Sequence, residues 1–253
     1  MYKGRYFIRE KTYECGDYLD VEVYPVFQKP GKRRSKCKPT SDIQKRQNQR
    51  NAEKVLTRTA HLNFTNGDIA LHLTYKENPI DYDRAIKDLR NFFDRVNRLR
   101  HKLGLPKLKY ISCTEVSGTG RIHHHIIMSG GIDRDTLERV WRKGLSNSRR
   151  LQFGDDGITG LTRYMVKDGK IQKGKKRYKR WNASRNLIKP EPIIKDNDVT
   201  TSDVKHMERA IERKSAHAFF EDRHQGWELI SAEYEQNAIN RGNYVTYAMR
   251  RHR

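Results

Sequence analysis

The stretch from Lys109 to Met128 constrains the fold of this chain more than any other. Two apolar runs, 109–116 (KYISCTEV) and 122–128 (IHHHIIM), are joined only by the turn-forming segment SGTGR. Apolar runs of this length bounded by glycine read as strands, and so short a link pairs them antiparallel. A third strand is expected at 69–75 (IALHLTY). Between it and the pair, Asp81 caps a helix in which Ile86, Leu89, Phe93 and Val96 recur at helical spacing, with Gly104 and Pro106 ending it. A second amphipathic helix carries Leu137, Val140 and Trp141, and a third short one, about 157–168, carries Ile158, Leu161 and Met165. The order β-α-β-β-α-(β)-α predicts an α+β fold, a central antiparallel sheet with helices packed against it.

The flanks read as additions to that core. Residues 6–27 form a hairpin, with Leu19, Val21 and Val23 alternating against Asp20 and Glu22 and a turn at Gly16-Asp17. A basic, Pro-flanked linker covers 28–39, and Ser41 with Gln44 opens a helix to about residue 58. The basic residues of that helix, Lys45, Arg46, Arg50, Lys54 and Arg58, have little apolar stripe to oppose them, which suits either phosphates or plain solvent. The tail holds a helix near 202–214 and a strand near 243–249. The expected organisation is therefore 1–58 (hairpin, linker and basic helix), 59–190 (the α+β domain) and 191–253 (a C-terminal extension).

Charge names the partner class. Lys and Arg number 53 against 31 Asp and Glu, a formal net charge of +22 over 253 residues. Nucleic acid is the usual anionic partner of such a chain, because every neutralised phosphate releases counterions. Charge alone assigns no reaction. The apolar runs are too short to span a membrane, and the N-terminus lacks the apolar core of a signal peptide. Cys15, Cys37 and Cys113 are odd in number, widely spaced and without a CxxC, as expected of unpaired thiols in a reducing cytoplasm.

The chemistry concentrates in Gly120-Arg121-Ile122-His123-His124-His125. Strand side chains alternate faces, so His123 and His125 share one face, roughly 7 Å apart, and His124 takes the other. Two imidazoles can converge on a divalent ion, and a carboxylate oxygen would complete a site for Mg²⁺ or Mn²⁺. If Gly118-Thr119-Gly120 is a three-residue loop, Glu115 stands opposite His123 and joins the cluster; a two-residue loop would turn it to the far face. Histidines in a strand can also be purely structural. On the last core helix, Tyr164 and Lys167 stand at i and i+3 and would share a surface. A phenol can attack a phosphodiester, with the lysine supporting the phosphate. Equally, a tyrosine there can simply pack its ring.

Together these motifs resemble the HUH endonuclease superfamily, and within it the rolling-circle replication initiators (Rep proteins) of phages, plasmids and related elements. The resemblance covers roughly 68–190. It rests on the His-x-His strand (His123, His125), the carboxylate on the preceding strand (Glu115), the Tyr-x-x-Lys helix (Tyr164, Lys167) and a hydrophobic strand ending in Thr, LHLTY at 71–75. The chain departs from the family at His124, where a bulky hydrophobic residue is usual, which leaves open which imidazoles would bind the ion.

The resemblance implies a site-specific nickase that forms a 5′-phosphotyrosine and later rejoins the strand. Tyr164 would be its single nucleophile, Lys167 the phosphate support, and Glu115, His123 and His125 the ligands of Mg²⁺ or Mn²⁺. The candidate DNA-binding residues are Arg121, Arg163, Lys175, Lys176, Arg177, Lys179, Arg180, Trp181 and Arg185, basic residues interleaved with aromatics as single-stranded DNA requires; Trp181 reads equally as a core anchor. Gly169–Lys175 imitates the start of a P-loop, but Lys176 replaces the required Ser or Thr and no apolar strand precedes it, so no ATP site is expected. Unwinding would then fall to a host helicase and synthesis to a host polymerase, in the cytoplasm of a bacterial host, on single-stranded DNA at a replication origin. The neighbouring alternatives are a mobilisation relaxase, a single-tyrosine transposase, or a non-catalytic nucleic-acid-binding protein.

Overall fold

The computed structural model describes residues 6–27, 42–77, 81–167, 181–237 and 240–252. The first half of the chain forms β1 (Tyr6–Cys15), β2 (Tyr18–Phe27), α1 (Asp42–Asn63), β3 (Ile69–Thr74), α2 (Tyr82–Lys102), β4 (Tyr110–Val116) and β5 (Ile122–Met128). Then come α3 (Arg134–Trp141), β6 (Ser146–Arg150), α4 (Thr159–Val166), β7 (Asn182–Ala183) and β8 (Ile193–Asp196). The last elements are α5 (Thr201–Glu212), α6 (Ala216–Arg223), β9 (Trp227–Gln236) and β10 (Asn243–Arg251). The fold is α+β, as expected. It forms two compact units, one spanning 45–189 and the other joining 1–44 to 190–253.

The 45–189 unit is built on a sheet of order β6-β3-β5-β4-β7, with every neighbouring pair antiparallel. The element order from β3 to α4 follows the sequence pattern, β6 being the optional strand. Helices cover both faces. Against one face, α2 and α3 close a core of Leu71, Leu73, Phe92, Val96, Ile126, Met128 and Trp141. Asp81 caps α2 by accepting from the Arg84 N–H at 3.1 Å, as its type predicts. Phe92 extends the apolar stripe read from the sequence. The Trp141 ring is wholly buried, and its indole N–H donates to the Thr74 carbonyl at 2.7 Å, joining α3 to the end of β3.

Against the other face, α1 and α4 pack over Ala70, Ile111, Cys113 and Ile127. α1 departs from the expected basic helix ending near residue 58 with little apolar stripe. The helix runs to Asn63, and its last turns bury Leu56, Arg58, Thr59 and Ala60. The Thr57 and Thr162 hydroxyls meet at 2.6 Å between α1 and α4, and the Gln49 amide donates to the Val166 carbonyl. Small and polar residues make this contact, so a hydrophobic stripe does not reveal it.

The other unit joins the N-terminal hairpin and the tail in one antiparallel sheet, β8-β1-β2-β10-β9. Val21 and Val23 of β2 stand opposite Tyr247 and Val245 of β10. α5 and α6 cover this sheet over a core that includes Met207, Phe220 and Met249. α5 opens on a capping box between Thr200 and Asp203. The expected tail helix and strand correspond to α5 and β10; β8, β9 and α6 were not read from the sequence. The basic linker 28–39 with Cys37, the Ser41 cap and the P-loop imitation lie outside the described residues. Cys15 and Cys113 are buried and form no disulfide. No helix among the described residues is long and apolar enough to cross a membrane.

Two buried histidines, His61 and His124, make the 45–189 unit sensitive to acid, and His61 shows how. His61 of α1 accepts from the Ile158 N–H through Nε2, and burial lowers its pKa from 6.5 to about 4. The unfolded chain therefore binds a proton between those values that the folded chain refuses, so stability falls as pH falls through that window. Urea denaturation should show a loss on the order of 3 kcal/mol between neutral pH and pH about 4 from this group. His61→Gln, which keeps an acceptor without a titrating ring, should remove that share of the pH dependence and leave the share due to buried His124.

Candidate functional site

The hairpin β4–β5 sets the site. Gly120 adopts φ +78°, a conformation natural to glycine, and this closes a three-residue loop in which the Ser117 N–H donates to the Arg121 carbonyl at 2.8 Å. The resulting register puts Glu115 directly opposite His123 and Cys113 opposite His125. Strand alternation then gathers Glu115, His123 and His125 on the face that α1 and α4 cover.

A fourth member comes from β3, which pairs with β5 on its other side. His72 stands opposite His125, and its ring stacks on His125 at 4.7 Å and on His123 at 5.3 Å between centroids. His72 lies inside the LHLTY strand, where the sequence motifs assign it no role. Its period-two position was legible, but its partnership with β5 is a non-local pairing that no local pattern specifies. The His125 Nε2 and Glu115 Oε2 atoms are hydrogen-bonded at 2.9 Å. The Nδ1 atom of His123 is buried and has no hydrogen-bond partner among the described residues.

Tyr164 reaches this cluster from α4. Its ring meets that of His125 edge-on at 5.2 Å, while half of the residue remains exposed (52%). Met165 and Val166, on the buried side of the same helix, pack into the core beneath and fix its position. His72, His125, Asn147, Arg149, Leu161 and Tyr164 help line a cleft of about 310 Å³. An exposed phenol beside imidazoles, over an open cleft, is accessible to a polymeric substrate.

His124 is separated from this chemistry. It is fully buried on the opposite face, bonded to the Thr114 hydroxyl through Nδ1 at 2.9 Å and to the Tyr75 hydroxyl through Nε2 at 3.0 Å. Burial, reinforced by the other histidines, lowers its pKa to about 3, so it stays neutral. It stands edge-on to Trp141 at 5.8 Å within the core. The apolar position usual in the resembling proteins is thus filled by an imidazole whose two nitrogens are both satisfied.

The remaining candidates divide. α4 ends at Val166, and Lys167 is its C-cap with extended backbone (φ −54°, ψ 139°). The expected helix to about 168 is therefore shorter, and helical spacing no longer holds Lys167 on the surface of Tyr164. Arg121, in the hairpin loop, and Arg163, beside Tyr164, are exposed, as is Arg185. Trp181 packs against the core cluster shared by α1 and α4, in keeping with the anchoring reading. Lys175, Lys176, Arg177, Lys179 and Arg180 lie outside the described residues.

Two imidazoles and a carboxylate are a suitable donor set for a divalent ion, and the orphaned Nδ1 of His123 supports that fit. Among the described residues, no three His, Cys, Asp or Glu side chains already stand in ligating geometry. The hydrogen bond between Glu115 and His125 occupies two of the facing atoms.

Residues 68–169 match a family model of replication-associated proteins, the ORF2 type. The matched segment runs from the start of β3 past the end of α4, so it takes in every element that carries a residue of the cluster. The match agrees with the resemblance to rolling-circle initiators. No curated protein and no solved structure matches the chain significantly.

The division of roles between neighbouring histidines is testable by stability. His124→Ala leaves the Thr114 hydroxyl without its imidazole partner, leaves Tyr75 only its bond to the Ala85 carbonyl and opens a void, and should cost on the order of 3 kcal/mol in urea denaturation. His123→Ala, on the cleft side, should cost less than about 1 kcal/mol.

Proposed function

We propose that this protein is a metal-dependent, site-specific single-strand DNA endonuclease that initiates rolling-circle DNA replication. The observation that carries the reading is the edge-on contact of the Tyr164 ring with His125, inside a cluster that also holds Glu115, His123 and His72. A replication-associated family match over the same residues supports it.

In this reading the Tyr164 oxygen bonds to the phosphorus of one phosphodiester. The bond from phosphorus to the 3′ oxygen breaks, a free 3′-hydroxyl leaves with a proton, and the new 5′ end stays on the tyrosine. Reversal by a later 3′-hydroxyl rejoins the strand. Glu115, His123 and His125 would hold Mg²⁺ or Mn²⁺, which when bound polarises the scissile phosphate as a Lewis acid. To take up that role Glu115 and His125 give up their mutual hydrogen bond. Lys167, just past the end of α4, would support a neighbouring phosphate. The free 3′ end would prime a host polymerase, and a host helicase would unwind the duplex. The +22 charge supplies the general attraction to the DNA backbone.

A pool of random-sequence single-stranded DNA labelled at its 3′ end tests this without knowledge of the origin. Incubated with Mn²⁺ and run on a denaturing protein gel, the full chain should give a labelled covalent adduct. EDTA and Tyr164→Phe should each abolish the adduct while most DNA affinity survives, because the positive charge lies elsewhere. An adduct that persists in Tyr164→Phe contradicts the assignment. Retarded but unbroken DNA, with no adduct under any divalent ion, would leave a binding protein.

A further inference from the structure

The sheet edge beside Tyr164 carries an arginine that no described residue of the fold uses. In β6, side chains alternate between the two faces. Ser148 takes the α2–α3 side, where its hydroxyl donates to Glu138 at 3.0 Å and accepts from Arg134 at 2.9 Å. Arg150, with the same parity, donates to the Gly67 carbonyl at 3.2 Å. Asn147 and Arg149 have the opposite parity. They stand across from His72 and Ala70 of β3 and line the cleft that contains His125 and Tyr164.

Arg149 is exposed, and its side chain forms no hydrogen bond or ion pair with any described residue. Among the described residues no carboxylate lines the cleft; its polar lining besides Arg149 is Asn147, imidazole and phenol, and the rest is apolar. A guanidinium facing such a space is matched by an anion with several acceptor oxygens, of which phosphate is the fitting geometry. Neither the sequence motifs nor the family match singles out this residue.

We propose that Arg149, with Asn147 beside it, grips a backbone phosphate of single-stranded DNA and lays the strand across β3 and β6, so that an adjacent phosphodiester meets Tyr164. The choice of DNA as the phosphate source rests on the function proposed above. The path leaves the site over the β6 edge, opposite the β7 edge beside which Trp181 and Arg185 lie. Arg149 also supplies a cation in the cleft that Tyr164 lines, where the end of α4 leaves Lys167 off the helical surface.

The test measures binding of the full chain to fluorescein-labelled random-sequence single-stranded DNA by anisotropy over a salt series. Arg149→Ala should weaken affinity about tenfold and lower the slope of log affinity against log salt by about one, the loss of a single phosphate contact. Arg149→Lys should restore the slope, since a point charge still neutralises the phosphate, and a merely structural role would not be rescued in this way. Arg149→Gln, which keeps the stem without the charge, should behave like Arg149→Ala. Arg150→Ala, on the other face, should match the wild type. Wild-type affinity and slope in Arg149→Ala, or an equal loss in Arg150→Ala, would overturn the proposal. Binding does not need Tyr164, so the two readings fail separately: a slope change without any covalent adduct keeps the Arg149 contact and removes the nickase.

Discussion

The pairing register of three adjacent strands is the constraint on which the site depends. With β3 and β4 on either side of β5, a given parity on each strand defines one face of the sheet. Glu115, His123, His125 and His72 share that parity, and so does the core that seats α1 and α4. A slip of one residue in either pairing would send a whole row of side chains to the α2–α3 side and place His124 in the cleft instead. Gly120, in its left-handed turn, is the local device that fixes one of those registers. The other is fixed by burial, because Leu71 and Leu73 have to meet Phe92 and Trp141.

The two faces do different work. On the α2–α3 side His124 lies between Thr114 and Tyr75 and the Trp141 N–H is bonded to the Thr74 carbonyl, while the buried Ser146 hydroxyl, which shares that parity, has no partner among the described residues. On the α1–α4 side, the described residues leave an unmatched Nδ1 on His123, a half-exposed phenol and an unused guanidinium on Arg149. Folding energy favours satisfying buried polar groups, so the unmatched Nδ1 of His123, next to residues that line the cleft, suits a ligand. The rigid sheet holds the imidazoles and the carboxylate, while Tyr164 approaches from a helix whose buried side is anchored by Met165 and Val166.

Much of this was legible in the sequence, because it depends on local periodicity. The helix stripe of α2, the alternation in β5 and the glycine-rich loop all act within a few residues. From them followed the β-α-β-β-α-(β)-α order and the conditional opposition of Glu115 and His123. What escaped depends on long-range pairing or on packing without hydrophobic contrast. His72 gains its place only through the pairing of β3 with β5. The N-terminal hairpin and the tail looked like separate extensions until β2 and β10 are seen to share hydrogen bonds. α1 packs through Leu56 and Ala60 together with Thr57 and Thr59, too few apolar positions to make a stripe. Lys167 was assigned to a helical face on spacing alone, and the helix ends one residue before it.

The central claim is that the phenol beside the histidine cluster becomes the covalent carrier of a DNA 5′ end. Mass spectrometry of the protease-digested protein–DNA adduct tests it most directly. The account predicts a nucleotide attached to the peptide containing Tyr164, through a phosphate on its ring oxygen. A nucleotide found on any other of the 13 tyrosines, or on a residue of another type, would contradict it.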